Sequence, residues 1–423
     1  FLDRRGGSGE MPVVLRREPG TRVKILIAHN RYRQAGGEDA VVAAEAAMLR
    51  RQGHEVELLL FDNEAISGVR ASAAAAIASF YSLPGYRQTA KMLAGFAPAV
   101  LHVHNFMPTL SPAVFFAAGA ARIPVVQTLH NYRLLCANAQ LFRDGSVCER
   151  CVEQRSFLPG VRLACYRGSR AGSAVVGGTM ALHHALGTWS RRVARYIALS
   201  EFAAAKLGTF RVPRDRIRIK PNFVPDRGAA AAVAVPSGEH PQPFALFVGR
   251  LSEEKGLATL IAADEQARLP MPVKIAGDGP WRERVERAAQ QPGSHLVYLG
   301  RQSEHEILAL MQRAEVLLVP SLWYEGFPMV MVEALSLGLP VIASRLGGLP
   351  EIVEEGVCGL LHSPGDPEAL AQMIQAFLNK PAEAKLAMRR AARQRYLDLY
   401  GEQRNYETLM KIYAEALEPM PRA

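Results

Sequence analysis

Apolar runs recur along the chain, each ending in a polar or glycine-bearing turn and followed by a stretch of helical periodicity. VKILIAH (23–29) is almost continuously apolar, as a strand covered on both faces requires. DAVVAAEAAMLRRQG (39–53) has helical periodicity and stops at a glycine, and HEVELLLF (54–61) returns to the strand pattern. VLHVHN (100–105), PVVQTLH (124–130), YIALS (196–200) and IRIKPNFV (217–224) extend the series. A low-complexity stretch, DRGAAAAVAVPSGEHPQP (226–243), then interrupts it. A second alternation opens at FALFVG (244–249) and runs through PVKIAGDG (272–279), HLVYLG (295–300), VLLVPS (316–321) and PVIAS (340–344). The last segment reads as helices long enough to reach back across both halves. The pattern predicts an α/β chain of two Rossmann-like, doubly wound parallel-sheet domains facing each other over a cleft. The expected divisions are a flexible leader (1–21), a first domain (22–225), a linker (226–243), a second domain (244–395) and a returning C-terminal helix (396–423).

Composition narrows this. With 423 residues and 49% apolar content the chain can fill two cores. No stretch approaches the roughly 18–20 uninterrupted apolar residues of a membrane span; ASAAAAIASF (71–80) comes nearest and is short. The first residues lack the apolar core of a signal peptide, so a cytoplasmic location is expected, with Met11 a candidate start. The net charge of +10 is uneven: residues 1–230 hold 31 Lys/Arg against 16 Asp/Glu, the remainder 19 against 24. Nucleic acid, an anionic membrane, a phosphorylated substrate, or simply solvated arginines would each account for a basic half.

Ligands in doubly wound sheets bind beyond the carboxyl ends of the strands, so the turns there carry the chemistry. The turn after VKILIAH has neither G-x-G-x-x-G nor a P-loop; it has Gly36 and Gly37, which let amides approach an anion or serve a plain turn. FVGRLSEEKG puts Arg250 and Lys255 five residues apart, suited to clamping a diphosphate or to pairing with Glu253 or Glu254. EGFPMVMVEALSLGLPVIAS (325–344) keeps two carboxylates, Glu325 and Glu333, in an otherwise apolar stretch. Gly326–Phe327–Pro328 reads as a helix start with Pro328 in the first turn, its free amides toward the cleft. Glu333 then lies one turn further in, suited to accept two hydrogen bonds from paired hydroxyls.

E-x7-E followed by A-x3-G-x-P-V-I-A-S, with upstream G-R-x4-K-G and G-D-G-P, resembles glycosyltransferase family 4, retaining nucleotide-sugar transferases of the GT-B fold. The resemblance spans roughly residues 22 to 415. It implies transfer of a sugar from a nucleotide-diphosphate sugar to a glycan or lipid-linked acceptor, as in surface polysaccharide or glycolipid biosynthesis. It assigns Glu325 and His130 to the sugar and reacting centre. The amides of Phe327, Met329 and Val330 would line the sugar and phosphate, and Glu333 would bind the ribose. Arg250 and Lys255 would neutralise the diphosphate, Gly36 and Gly37 approach the phosphate, and Arg301 lie near the base. No cofactor is expected for catalysis: there is no D-x-D, and the cations with the helix end replace a divalent metal. The alternatives are a GT-B sugar-nucleotide epimerase and a catalytically silent glycan-binding homologue.

Cys136, Cys148, Cys151 and Cys165 form C-x11-C-x2-C-x13-C, a spacing that suits a structural zinc ion; free thiols and an iron–sulfur centre are the other readings. The family does not generally carry this cluster. His102 and His104 share a strand face and are expected at the cleft, either touching the acceptor or satisfied within the core. The resemblance favours a membrane over nucleic acid for the basic half: Arg162, Arg167, Arg170, Arg191 and Arg192 are expected to dock peripherally on anionic lipid at the inner face.

Overall fold

The computed structural model describes residues 22–31, 36–62, 68–209, 212–227, 242–267 and 269–418. The expected leader and most of the expected linker lie outside these residues. The first half contains β1 (Lys24–Asn30), β2 (Glu55–Phe61), β3 (Val100–Val103), β4 (Val125–Leu129), the small pair β5 (Phe142–Arg143) and β6 (Ser146–Val147), then β7 (Arg195–Ala198) and β8 (Ile217–Ile219). Six of these form one sheet in the order β2-β1-β3-β4-β7-β8, every neighbouring pair parallel. β9 (Ala245–Val248), β10 (Val273–Ala276), β11 (Leu296–Gly300), β12 (Val316–Val319), β13 (Val341–Ser344) and β14 (Gly359–His362) form the second sheet. Its order is β11-β10-β9-β12-β13-β14, again all parallel. This is the two-domain α/β architecture of the GT-B fold.

Helices cover both faces of each sheet, so the central strands meet no water. Every residue of β3, β4, β12 and β13 is buried, which is why they read as continuous apolar runs. The expected strands fall within a few residues of the observed ones. β14 was not expected: GLLH is only four residues long, too short for its apolar run to stand out after the turn at Gly356. The two-residue strands β5 and β6 are too short to leave any periodicity.

The C-terminal helices latch the halves together. Helix Ala382–Leu399 buries Met388, Ala392 and Tyr396 in the second half. The chain crosses over at Tyr400–Gly401, so the boundary expected at 396 falls inside this helix. Helix Glu402–Leu417 then packs on β3, β4, β7 and the helix Gly37–Arg51, burying Leu409, Ile412, Tyr413 and Ala416 in the core of the first half. Glu351 of the second half adds a contact, accepting hydrogen bonds from the backbone N–H groups of Glu201 and Phe202, both at 2.7 Å. Among the described residues no helix is long and apolar enough to cross a membrane.

Candidate active site

Both sheets reverse their winding beside their first strand, between β1 and β3 in one and between β9 and β12 in the other. Crevices open at such points, and both contribute here. Helix Gly37–Arg51 follows β1 with Gly36 as its cap; the Gly36 N–H donates to Asp39 Oδ2 (2.9 Å), and Asp39 Oδ1 lies 2.9 Å from His29 Nε2. Helix Met329–Ser336 follows β12. It begins after Pro328, which is its cap and not, as expected, within its first turn; no side chain caps its free amides. A Cβ on Gly37 would stand 3.9 Å from Met329 Cγ. Two helix N-termini, each carrying about half a positive charge, therefore converge across the cleft.

Glu325 lies just outside the second of these ends and is buried at 5% exposure. Lys255 Nζ donates to its two oxygens at 2.8 and 3.0 Å, and the Ser321 hydroxyl donates to Oε1 at 2.6 Å. Lys255 thus pairs with Glu325 across the β9 and β12 turns, not with Glu253 or Glu254. The β9 turn can deliver it because Gly256 takes φ +74°, where a Cβ would overlap the Pro320 carbonyl. Gly326 sits so tightly on the His130 carbonyl oxygen that any Cβ there would collide with it. Phe327 packs its half-buried ring between the cores of both halves. Arg250 and Arg301 are exposed, Arg301 following the edge strand β11. Glu333 is half-buried, and Val330 partly so. Burial raises the Glu333 pKa and the nearby Glu304 adds to this, against the opposing pull of Arg227.

His130, at the end of β4, leads into an array that the residue pattern alone did not predict. His130 Nε2 lies 2.8 Å from His104 Nδ1, and His104 Nε2 lies 3.4 Å from Glu45 Oε1. That oxygen is also 2.9 Å from His102 Nδ1, while Lys220 Nζ donates to Glu45 Oε2 at 2.9 Å and to Asn405 Oδ1 at 3.1 Å. His102 further meets the hydroxyls of Tyr413 and Thr128, each at 2.8 Å. His102 and His104 do share a face and both are buried in this core; His104 also lines a small cavity together with His130 and Glu38. Burial would raise the Glu45 pKa, yet Lys220 and His102 more than reverse it and hold Glu45 well below the usual range. Burial and His102 lower His104 to about 3, and burial and His104 keep His130 neutral as well. His104 Nε2 and Glu45 Oε1 face each other without a hydrogen bond, and the hydrogen bond His104 makes is between its Nδ1 and His130 Nε2. With the shared proton on His130 Nε2, the Nδ1 lone pair of His130 is an acceptor. Glu45 had one legible signal, a carboxylate amid the apolar VVAAEAAML; Lys220 had a similar one within IRIKPNFV.

Among the described residues, Glu45, His102 and His104 are the group whose ligand atoms lie within 4.8 Å of one another. The Lys220 ammonium already neutralises that carboxylate through its other oxygen, Oε2. The four expected cysteine ligands are unpaired thiols lining one small cavity, and no three of their sulfurs lie within 4.8 Å of one another. Burial raises the Cys136 thiol pKa, against backbone N–H groups of Leu141, Asn138, Gln140 and Ala139 that lower it, and raises Cys151 to about 11.

A family profile described as "Glycosyl transferase 4-like domain" matches residues 36–222, and one described as "Glycosyl transferases group 1" matches residues 234–395. A glycogen synthase from Mycobacterium tuberculosis is 35% identical over 193 residues, covering 42% of this chain and 44% of that protein. The match thus spans less than half of that relative's length. A glycosyltransferase structure from Rickettsia africae superposes with a TM-score of 0.67 at 15% identity, covering 94% of this chain and 99% of the other. HepE from Anabaena, solved in complex with UDP, gives 0.63 at 17%, covering 92% and 98%.

Proposed function

This chain belongs to the GT4-type glycosyltransferases, and from that membership we propose that it moves a sugar from a nucleotide-diphosphate sugar to a glycan or lipid-linked acceptor with retention of anomeric configuration. The observation that carries the reading is the meeting of two helix N-termini at Gly37 and Met329, with Lys255, Glu325 and His130 around the same crevice. Free amides and a cation at one point suit a diphosphate, whose charge grows as the sugar leaves. The binding of UDP by HepE supports a nucleotide donor.

In this reading Lys255 lies between Glu325 and the leaving phosphate and stabilises both. Glu325, already satisfied by Lys255 and Ser321, positions sugar hydroxyls and does not attack. His130 accepts a sugar hydroxyl at Nδ1, its Nε2–H donated to His104. The leaving phosphate takes the acceptor proton on the same face, so configuration is kept. Arg250 and Arg301 reach the diphosphate and base from exposed positions, and Glu333 accepts the ribose hydroxyls. In this reading the chemistry of transfer itself needs no bound metal or other cofactor.

Helices Gly68–Phe80 and Arg170–Ala185 pack together and leave Ile77, Leu182 and Leu186 exposed, with the exposed Arg191 five residues after Leu186. This apolar and basic face supports peripheral docking on an anionic membrane, consistent with a lipid-linked acceptor at a cytoplasmic surface.

The test is a panel of nucleotide sugars, scored by thermal shift and by NMR of the product's anomeric proton. Stabilisation by one donor, with transfer giving the donor's own anomer, is expected. An inverted product refutes retention. Donor isomerised without acceptor indicates an epimerase, and no donor response at all indicates a silent homologue.

A further inference from the structure

We propose that Cys136, Cys148, Cys151 and Cys165 are the four ligands of a structural zinc ion that fastens the segment after β4 against the second half of the molecule. The four come from separate stretches, Cys151 from the helix Arg150–Glu153 and the others from irregular chain, yet they line a single cavity of about 10 Å³, room for one atom of water size. Four of the five cysteines of the chain fall within these thirty residues, and four thiolates with a C-x2-C step are a donor set that selects zinc. Cys136 Sγ is turned toward Asn138 Oδ1 (3.5 Å), and Cys165 Sγ accepts from Arg143 Nη1 (3.7 Å). Zinc would pull these sulfurs inward to about 2.3 Å, releasing a proton from each thiol to solvent as the thiolate binds.

The fold of the segment calls for such a staple. Its elements are a two-residue hairpin and helices of four and five residues, Arg150–Glu153 and Leu158–Arg162, too short to build a core of their own. Nine non-glycine residues among those described take positive φ, and six of them lie here: Ala139, Leu141, Asp144, Arg155, Ala164 and Arg167. Backbone in that region persists only where the surroundings over-determine it.

The cluster also reaches the crevice. Glu149, inside the C-x2-C step, accepts from Lys206 Nζ at 2.6 and 2.7 Å and from the Tyr324 hydroxyl at 2.8 Å. Tyr324 immediately precedes Glu325, so an ion that fixes Glu149 fixes the entry to that carboxylate. This last consequence rests on the proposed transferase reading; the metal site does not.

The test is metal and thiol analysis of the full chain, purified without added metal or chelator. About one zinc per chain is expected, released in step with four equivalents of an organomercurial. Replacement by cobalt should give the intense visible bands of a tetrahedral thiolate site. Cys148→Ser and Cys165→Ser should lose the zinc and melt earlier, while Cys358→Ser, remote from the cluster, should keep it. If the cysteine variants fail to fold, the mercurial titration of the unaltered chain decides alone. Zinc well below one per chain with freely reacting thiols, two disulfides by mass, or iron with sulfide would each overturn the site. Glu149→Gln should keep its zinc yet lose transfer rate; unchanged transfer would sink the link to the crevice while leaving the metal site standing.

Discussion

Replacing Glu45 by methionine should unsettle the first half of the molecule and disarm its histidine together. Glu45 and Lys220 are each 1% exposed, and their 2.9 Å contact is the main neutraliser of either charge. Removing the carboxylate leaves the Lys220 ammonium buried with only Asn405 Oδ1, at 3.1 Å, to receive it. Stranding one member of a buried pair costs about 3–5 kcal/mol, which for a domain of this size lowers Tm by roughly 6–20 °C. Lys220→Met should cost about the same, for the mirror-image reason. The double variant, with an apolar pair in place of the ions, should recover much of the loss, because both desolvation penalties vanish together. Urea unfolding followed by the fluorescence of Trp189, buried in the same half, measures all three. The Glu45 pKa lies below its ordinary value of 4.5, so its contribution is complete above that pH and is lost as pH falls toward the folded value. Glu45→Met should therefore flatten the acid limb of the stability curve. Since Glu45 also packs against His102 and His104 behind His130, kcat should fall, by as much as about 10²-fold if His130 shifts by an ångström, with a smaller change in donor KM. Single variants within about 0.5 kcal/mol of the parent, or a double variant costing the sum of both, would refute the reasoning.

Lys255→Met should lower kcat/KM by about 10²–10³-fold, because it removes the cation from the leaving group and leaves Glu325 with Ser321 alone; steady-state kinetics with the identified donor checks this. Gly326→Ala should be folded by circular dichroism yet severely impaired in transfer, since the added Cβ meets the His130 carbonyl and pushes the start of helix Met329–Ser336 out of the crevice. Donor affinity, followed by calorimetry against pH, should weaken as pH falls through the raised pKa of Glu333, above the 4.5 of an ordinary carboxylate, because only the ionised form accepts both ribose hydroxyls. Glu333→Gln should be weak at every pH and lack that step. Glu351→Ala should cost about 1 kcal/mol by uncapping the amides of Glu201 and Phe202, read as earlier unfolding without loss of donor affinity.

Much of this molecule was legible in one dimension because its information is local. A strand covered on both faces must be apolar throughout, so β1, β4 and β12 announce themselves, and their order with helices between them implies parallel sheets. The two glutamates of 325–333, the cations of 250–255 and the paired glycines lie on turns whose role follows from strand ends. What could not be read was which distant groups share a site. Lys255 reads equally well as a partner of Glu253; only the approach of the β9 and β12 turns gives it to Glu325. His102 and His104 alternate correctly, but which way the face points depends on Glu45, Lys220, Asn405 and Tyr413, supplied by three other segments. Such a buried ionic array has no periodicity. Its members are single polar residues in apolar surroundings, and the low-dielectric interior that couples them exists only once the chain has folded.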